Sequence, residues 1–155
     1  MKLMPNEDGL LDIVMDNGVV QERTILSAVM VSILANRRAS QHDPLPYGFK
    51  ADGTSLLDDR QGWVGDIFDE RGRLVGSKLW LLAHEIATEE TRNRAIQYVR
   101  EAIQWTIDDG YVQNIEIQDE WHHRKRLNLA VELKMSNGDK LSLRVDYEKG
   151  TVYEL

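Results

Sequence analysis

The sequence contains no cysteine. Disulfides, thiolate nucleophiles and thiolate metal sites are therefore excluded, and the cytosol is a natural place for such a chain to fold. Proline is scarce: there are three, and two of them, Pro44 and Pro46, fall together. No long apolar run is present. The longest, Ile25 to Ala35, is broken by Ser27 and Ser32. It falls short of the roughly 20 apolar residues that cross a bilayer, so it reads as a buried helix and no membrane partner is expected. The opening MKLMPNEDGL has one lysine but no apolar h-region, so no signal peptide is expected there. Basic residues are in the minority, 19 against 26 acidic, for a formal charge of −7. General nucleic-acid binding needs a basic footprint, and this chain lacks one.

What is present is ordinary for a globular protein: 42% apolar and 29% charged residues over 155 positions. That length suits a single domain, 1–155, with a core that needs no staples. Leu11 to Met15 reads as a short strand, followed by a turn signal at Asn17-Gly18. A helix is expected from about Gln21 to Ala35. Its apolar positions cover most of the circumference, which predicts a place at the centre of the core.

From Asn36 to Gly76 the periodicity fades. This segment holds Pro44, Pro46 and six glycines, with charge clustered at Asp58-Asp59-Arg60 and Asp69-Glu70-Arg71. So long an irregular stretch inside a compact domain is usually functional or ordered by a partner. Its scattered large side chains, among them Tyr47, Phe49, Trp63 and Phe68, argue against full disorder. Within it, DRQGWVGD sets Trp63 between two glycines. Two roles are open to that indole: a plug that fastens the loop onto the core, which is favoured, or an anchor for a partner. Arg60 is expected to pair with Asp66 and close the loop.

A short helix should follow over Ser77 to Ile86, with Leu79, Leu82 and Ile86 on one face. Thr88 then has the character of an N-cap, with Glu89 and Glu90 in the first turn. That helix should run to about Asp109 and stop at Gly110, burying Ile96, Val99, Ile103 and Ile107. Asp108 and Asp109 sit unfavourably at its negative end, where solvation, capping or a basic partner would relieve them.

The C-terminal third alternates apolar and polar residues with the period of half-buried strands. All the large apolar positions from Ile115 to Tyr147 are odd-numbered, and residues directly opposite in a sheet share a face. A two-residue Asn137-Gly138 turn would set Leu133 against Ser142 and is rejected. A three-residue loop Ser136-Asn137-Gly138, with Gly138 left-handed, pairs Leu133 with Leu141, Val131 with Leu143 and Leu129 with Val145. Likewise a loop from His122 to Arg126 pairs Trp121 with Leu127 and Ile117 with Val131. A loop Glu148-Lys149-Gly150 would pair Tyr147 with Thr151 and Val145 with Tyr153. The expected fold is α+β: helices packed on one face of a C-terminal antiparallel meander over 111–155, with a long irregular loop at 36–76. Glu116, Glu132, Lys134, Arg144 and Asp146 should lie on the wet face. Thr151 to Leu155 would be a short edge strand or an arm, and an open edge is a place where another chain can add a strand.

No enzyme emerges from the motifs. His84-Glu85 begins a helical HExxH, but Thr88 stands where the second histidine belongs, so no zinc site is expected. His122-His123 sit beside Arg124, Lys125 and Arg126 in a hairpin loop, where an exposed basic tip is the plain reading and a contact with an acidic protein surface the sharper one. Gly62-x-x-Gly65 lacks the strand and the lysine of a phosphate loop. Ser27, Ser32 and Ser40 lack a nucleophile elbow. Paired carboxylates of the kind glycosidases use are the remaining candidates, among Asp59, Asp66, Asp69 and Glu70. No cofactor and no metal is expected.

Five stretches in order carry a resemblance: NRRAS at Asn36 to Ser40, DPLP at Asp43 to Pro46, DRQGWVGD, GSKLWLL at Gly76 to Leu82, and AIQWTIDDG at Ala102 to Gly110. Ahead of a C-terminal antiparallel sheet, they resemble the Mu-type phage baseplate wedge proteins, a family related to the sheath initiators of contractile tails. The resemblance covers nearly the whole chain from about Asp12. It implies a structural subunit of the virion tail baseplate, assembled in the host cytoplasm and present as six copies in a ring. The implied partners are large wedge subunits and the tail sheath protein, with tail tube or hub proteins nearby. Some relatives carry a lysozyme label, which makes a tail-associated peptidoglycan hydrolase the alternative. A soluble adaptor that binds a host protein is a third reading. The candidate interface residues are Arg37, Arg38, Arg60, Trp63 and Asp66 in the loop, Arg124, Lys125 and Arg126 at the hairpin, and Val152, Tyr153 and Leu155 at the sheet edge.

Overall fold

The structure, a computed structural model, describes residues 2–5, 11–14, 22–49, 59–68, 70, 72–83, 85–86, 88–122, 126–146 and 151–155. Two short strands, β1 (Lys2–Pro5) and β2 (Leu11–Val14), pair antiparallel. β2 falls where a strand was expected; β1 was not foreseen. The Asn17-Gly18 turn lies outside the described residues. Helix α1 spans Glu22–Leu34, α2 spans Glu89–Ile103, and a further turn, α3, spans Trp105–Asp108. Strands β3 (Val112–His122), β4 (Arg126–Met135), β5 (Lys140–Asp146) and β6 (Thr151–Glu154) form one sheet in that order, each antiparallel to the next. The result is the expected α+β arrangement.

The sheet's odd-numbered face and one stripe from each long helix make the core. Leu129, Val131, Leu133, Leu141, Leu143 and Val145 are buried, against Ile25, Val29 and Ile33 of α1 and Ala95, Val99, Ala102 and Ile103 of α2. The helical spacings of three and four residues bring each set onto one face. Burying a side chain such as Leu133 or Leu143 contributes about 1.5–3 kcal/mol. α1 is not buried all round. Val31 is 57% exposed and Leu34 is also exposed. The sheet and α2 cover one side of the helix, and among the described residues nothing buries Val31 or Leu34 on the other.

Thr88 caps α2 as expected: its side chain accepts the Thr91 N–H at 3.1 Å. The helix is interrupted at Gln104, resumes over α3 and ends at Gly110, whose φ of +80° only glycine adopts without strain. The other expected helix is a single 3₁₀ turn, Leu79–Leu82. Leu81 and Leu82 are buried there, but Ile86, placed on the buried face by helical spacing, is 82% exposed. A 3₁₀ turn of four residues does not carry that spacing as far as residue 86.

Two of the three hairpins have the predicted register. Leu133 faces Leu141, Val131 faces Leu143, and Leu129 faces Val145. The Gly138 N–H donates to the Met135 carbonyl at 3.0 Å, and Gly138 has φ +95°, the left-handed bulge residue of a three-residue loop. Trp121 faces Leu127 and Ile117 faces Val131, with His122–Arg126 adding one further pair.

The third hairpin is one residue out. Val145 faces Val152, not Tyr153, and Asp146 faces Thr151. Val152 and Tyr153 are both apolar enough to claim the inner position. Val152 takes it and packs on the core, while Tyr153 lies opposite Arg144 on the other face. A second correction concerns Asp146. It is buried, not wet, directly across from the equally buried Asn128. A buried carboxylate requires polar company, and Asp146 does hold a polar or electrostatic interaction.

Candidate interaction surfaces

The irregular segment after α1 is tied at its base by backbone bonds. The Arg37 N–H donates to the Ser77 carbonyl at 2.9 Å, and the Ser77 N–H donates to the Ala35 carbonyl at 2.8 Å. The buried Ser77 hydroxyl donates to the Ile33 carbonyl at 2.7 Å, one of the carbonyls the helix end leaves unpaired. Trp80 completes the clasp. Its indole Nε1 donates to the Arg37 carbonyl at 2.8 Å, and its ring lies 5.9 Å from that of Phe49. Lys78 Nζ sits 2.7 Å from Asp43 Oδ2, which also accepts the Ser40 N–H at 2.7 Å. Burial pushes the Asp43 carboxyl up, but Lys78 and the Ser40 bonds outweigh it and hold the group below the ordinary carboxylate range.

Two strips of the loop then lie together. The Ala39 N–H donates to the Arg60 carbonyl at 3.0 Å, and Arg38 Nη1 donates to the Gln61 carbonyl at 3.0 Å. Arg60 reaches the Ser40 carbonyl, and Asn36 reaches the Gln61 side chain. Gly62, at φ +105°, passes so close to Arg38 that a Cβ would stand 2.7 Å from the arginine Cβ. Thus Arg38 and Arg60, distant in sequence, are brought together as the frame of one surface.

Trp63 does not plug the core. It is 58% exposed. Its ring folds back over Gly65, leaving no room there for a Cβ. The two glycines therefore let the chain turn under an indole that stays outside. Nor does Asp66 pair with Arg60 as expected. Its Oδ1 accepts the Val75 N–H at 2.9 Å on the returning strip, while Arg60 is drawn to the Ser40 carbonyl. A turn of 3₁₀ helix, Val64–Phe68, follows Trp63, and Phe68 is also exposed.

Of the carboxylates considered for glycoside hydrolysis, Asp66 is thus a loop fastener, and Asp69 lies outside the described residues. Glu85, from the partial zinc motif, is engaged by Arg94 Nη1 at 3.0 and 3.1 Å and by the Thr91 hydroxyl. His84 lies outside the described residues. Asp109, expected to need relief at the helix end, has an internal basic partner: Arg73 Nη1 at 2.9 Å. Gln104 donates to Asp108 at 3.1 Å.

The second surface is the β6 edge. Val152 is half-buried, whereas Tyr153 and Leu155 are exposed. The Leu155 N–H donates to the Ser142 carbonyl at 2.9 Å, so by alternation Val152 and Glu154 turn their backbone groups outward. Arg124 and Lys125 lie outside the described residues, and of Arg126 only the backbone pairing with His122 is described. Sequence reasoning missed Trp80, Lys78 and Gln61 as organisers of the loop. Gln61 has φ +57°, and no spacing pattern announces a left-handed glutamine.

The chain belongs to the phage protein GP46 family, whose model matches residues 25–140, from α1 to the start of β5. Among curated proteins it is 36% identical over 132 residues to the baseplate protein gp46 of Escherichia phage Mu, covering 84% of both chains. It is 33% identical over 61 residues to the Mu-like prophage FluMu protein gp46 of Haemophilus influenzae, covering 39% of this chain and 44% of that one.

Proposed function

We propose that this chain is a structural subunit of a phage tail baseplate. The observation that carries the reading is the likeness to the Mu baseplate protein along most of both chains. More narrowly, it is a wedge and sheath-initiator subunit of a contractile phage tail or prophage-derived tail, present as six copies in a ring. It joins the large wedge subunits to the first ring of sheath, close to the tail tube or hub. Two surfaces support this role. One is the loop knob, where Trp63 and Phe68 stay exposed on a frame made by Arg38 and Arg60, with the Arg37 backbone fastened at its base. Trp and Arg are among the residue types that dominate the binding energy of protein interfaces. The other is β6, whose outward backbone groups offer a partner strand a place to pair. The run Arg124-Lys125-Arg126 supplies three consecutive basic residues, a charge that an acidic neighbouring subunit would match.

The experiment is a phage or inducible prophage carrying a deletion of Val152 to Leu155. Tails should form baseplates that fail to attach sheath, while the isolated protein keeps its circular dichroism. Normal sheath on the mutant tails would remove β6 as the docking edge. Absence of the chain from purified tails, by mass spectrometry, would remove the baseplate reading altogether.

A further inference from the structure

A four-stranded open sheet has two edges, and here they are treated differently. β6 is four residues long and β3 eleven. A long edge strand with an alternating apolar face is the more hazardous, because its unpaired N–H and C=O groups template another strand. The direction of those groups follows from the ladder. The Met135 N–H bonds to the Asp139 carbonyl, so odd residues of β4 bond to β5 and even ones to β3. The even residues of β3, Asn114 to Glu120, are therefore used by β4, and Ile115, Ile117 and Asp119 turn their backbone groups outward.

Three features occupy that outer edge. Arg100 of α2 donates from Nη1 to the Ile115 carbonyl at 3.2 Å. Two helical turns earlier, Arg92 Nη1 sits 3.0 Å from Asp119 Oδ2. Asp119 shares the core face with Ile115 and Ile117, opposite Leu129, so it is a charge pointing inward on an edge strand. The register of β3 also slips between Val112 and Asn114, which bends the start of the strand. By contrast, no side-chain bond to the outward groups of Val152 and Glu154 is found among the described residues.

We propose that Arg92, Arg100 and Asp119 form an edge guard that stops β3 from taking up a further strand, a second copy of this chain above all. Two copies of β3 would meet antiparallel about a two-fold axis, centred on Ile117. That register sets Asp119 of each copy against Ile115 of the other. It also requires α2 to release the Ile115 carbonyl. Each copy would thus set the Arg92-paired carboxylate of Asp119 against an apolar Ile115 and lose the Arg100 bond at the same time. Among the described residues the guard leaves β6 as the edge whose outward backbone groups carry no side-chain bond, which suits the proposed docking of a partner there. It stands on its own geometry whether or not the partner at β6 is a sheath subunit.

The test is the mass of the purified full chain by sedimentation velocity, wild type against the triple variant Arg92→Ala, Asp119→Val, Arg100→Ala. The variant should show weight-average mass rising toward roughly double that of wild type at the same concentration. Adding Ile117→Pro, which removes an outward N–H and leaves the β4 ladder intact, should reverse the rise. Arg100→Ala alone alters an exposed residue and no core contact, so it folds even if the triple variant does not, and it should raise the mass less. Wild-type mass in both the single and the folded triple variant would overturn the proposal. So would association that Ile117→Pro leaves unchanged.

Discussion

The sheet β3 to β6 and the segment from Asn36 to Ser77 adjoin the same helix, yet they are held by different forces. In the sheet, apolar side chains alternate toward a common core, and the ladder satisfies the backbone. In the segment, much of the order comes from single polar contacts: Trp80 and Ser77 onto the end of α1, Arg38 and Arg60 onto backbone carbonyls, Asp66 onto the Val75 N–H. Apolar burial sums over many residues and is non-directional. Each polar clasp, by contrast, contributes only about 1 kcal/mol net and depends on its geometry. The sheet is therefore the part that determines whether the chain folds. The loop can be changed without unfolding it, which is what a contact surface requires.

The largest expected effect is in the sheet. Leu133→Ala, at a fully buried position between Ile115 and Leu141, should cost about 2–5 kcal/mol in denaturant unfolding. A loss below 1 kcal/mol would mean the cross-strand core is not the foundation described. Next is Trp80→Phe, which keeps an aromatic ring and deletes the bond to the Arg37 carbonyl. Global stability should fall by about 1 kcal/mol. Amide exchange should rise at Arg37 and Ser77 and stay unchanged in β4; a rise in both places would merge the two regions into one cooperative unit.

A pH effect comes third. The Asp43 carboxyl is held below its ordinary value of 3.8, so its stabilising contribution is complete above that pH and lost as pH falls through its folded value. Asp43→Asn should remove that part of the acid sensitivity of the loop while the sheet titrates as before. Identical acid unfolding of the two proteins would contradict it. The smallest expected effect on stability is at Trp63. Exposed as it is, Trp63→Ala should stay within about 0.5 kcal/mol of wild type. Incorporation into tails, read by the amount of the chain in purified particles, should nonetheless drop. A large stability loss with normal incorporation would return the indole to a structural role.

The two regions also differ in how far they could be read in advance. Hairpin registers at Ser136–Gly138 and at Trp121–Leu127 followed from parity, because strand period is fixed and a one-residue slip exchanges core for solvent. Parity failed at Val152–Tyr153, where two adjacent apolar residues leave it no preference. Thr88 was recognisable as a cap because capping is local. The frame around Trp63 was not legible. Arg60 and Asp66 are near in sequence and opposite in charge, yet each is taken by a backbone group from elsewhere in the loop.

What the sequence determined by itself was the α+β class, the odd-numbered core face, two registers out of three and the helix start at Thr88. All of these depend on periodicity or on neighbours within a few residues. Only the tertiary structure decided that Trp63 faces outward, that Val152 takes the inner position, that Asp146 is buried and that α2's arginines close the β3 edge. Those outcomes depend on which donors and acceptors meet across long separations. A carbonyl accepts any donor that reaches it, so residue type alone cannot name its partner in advance.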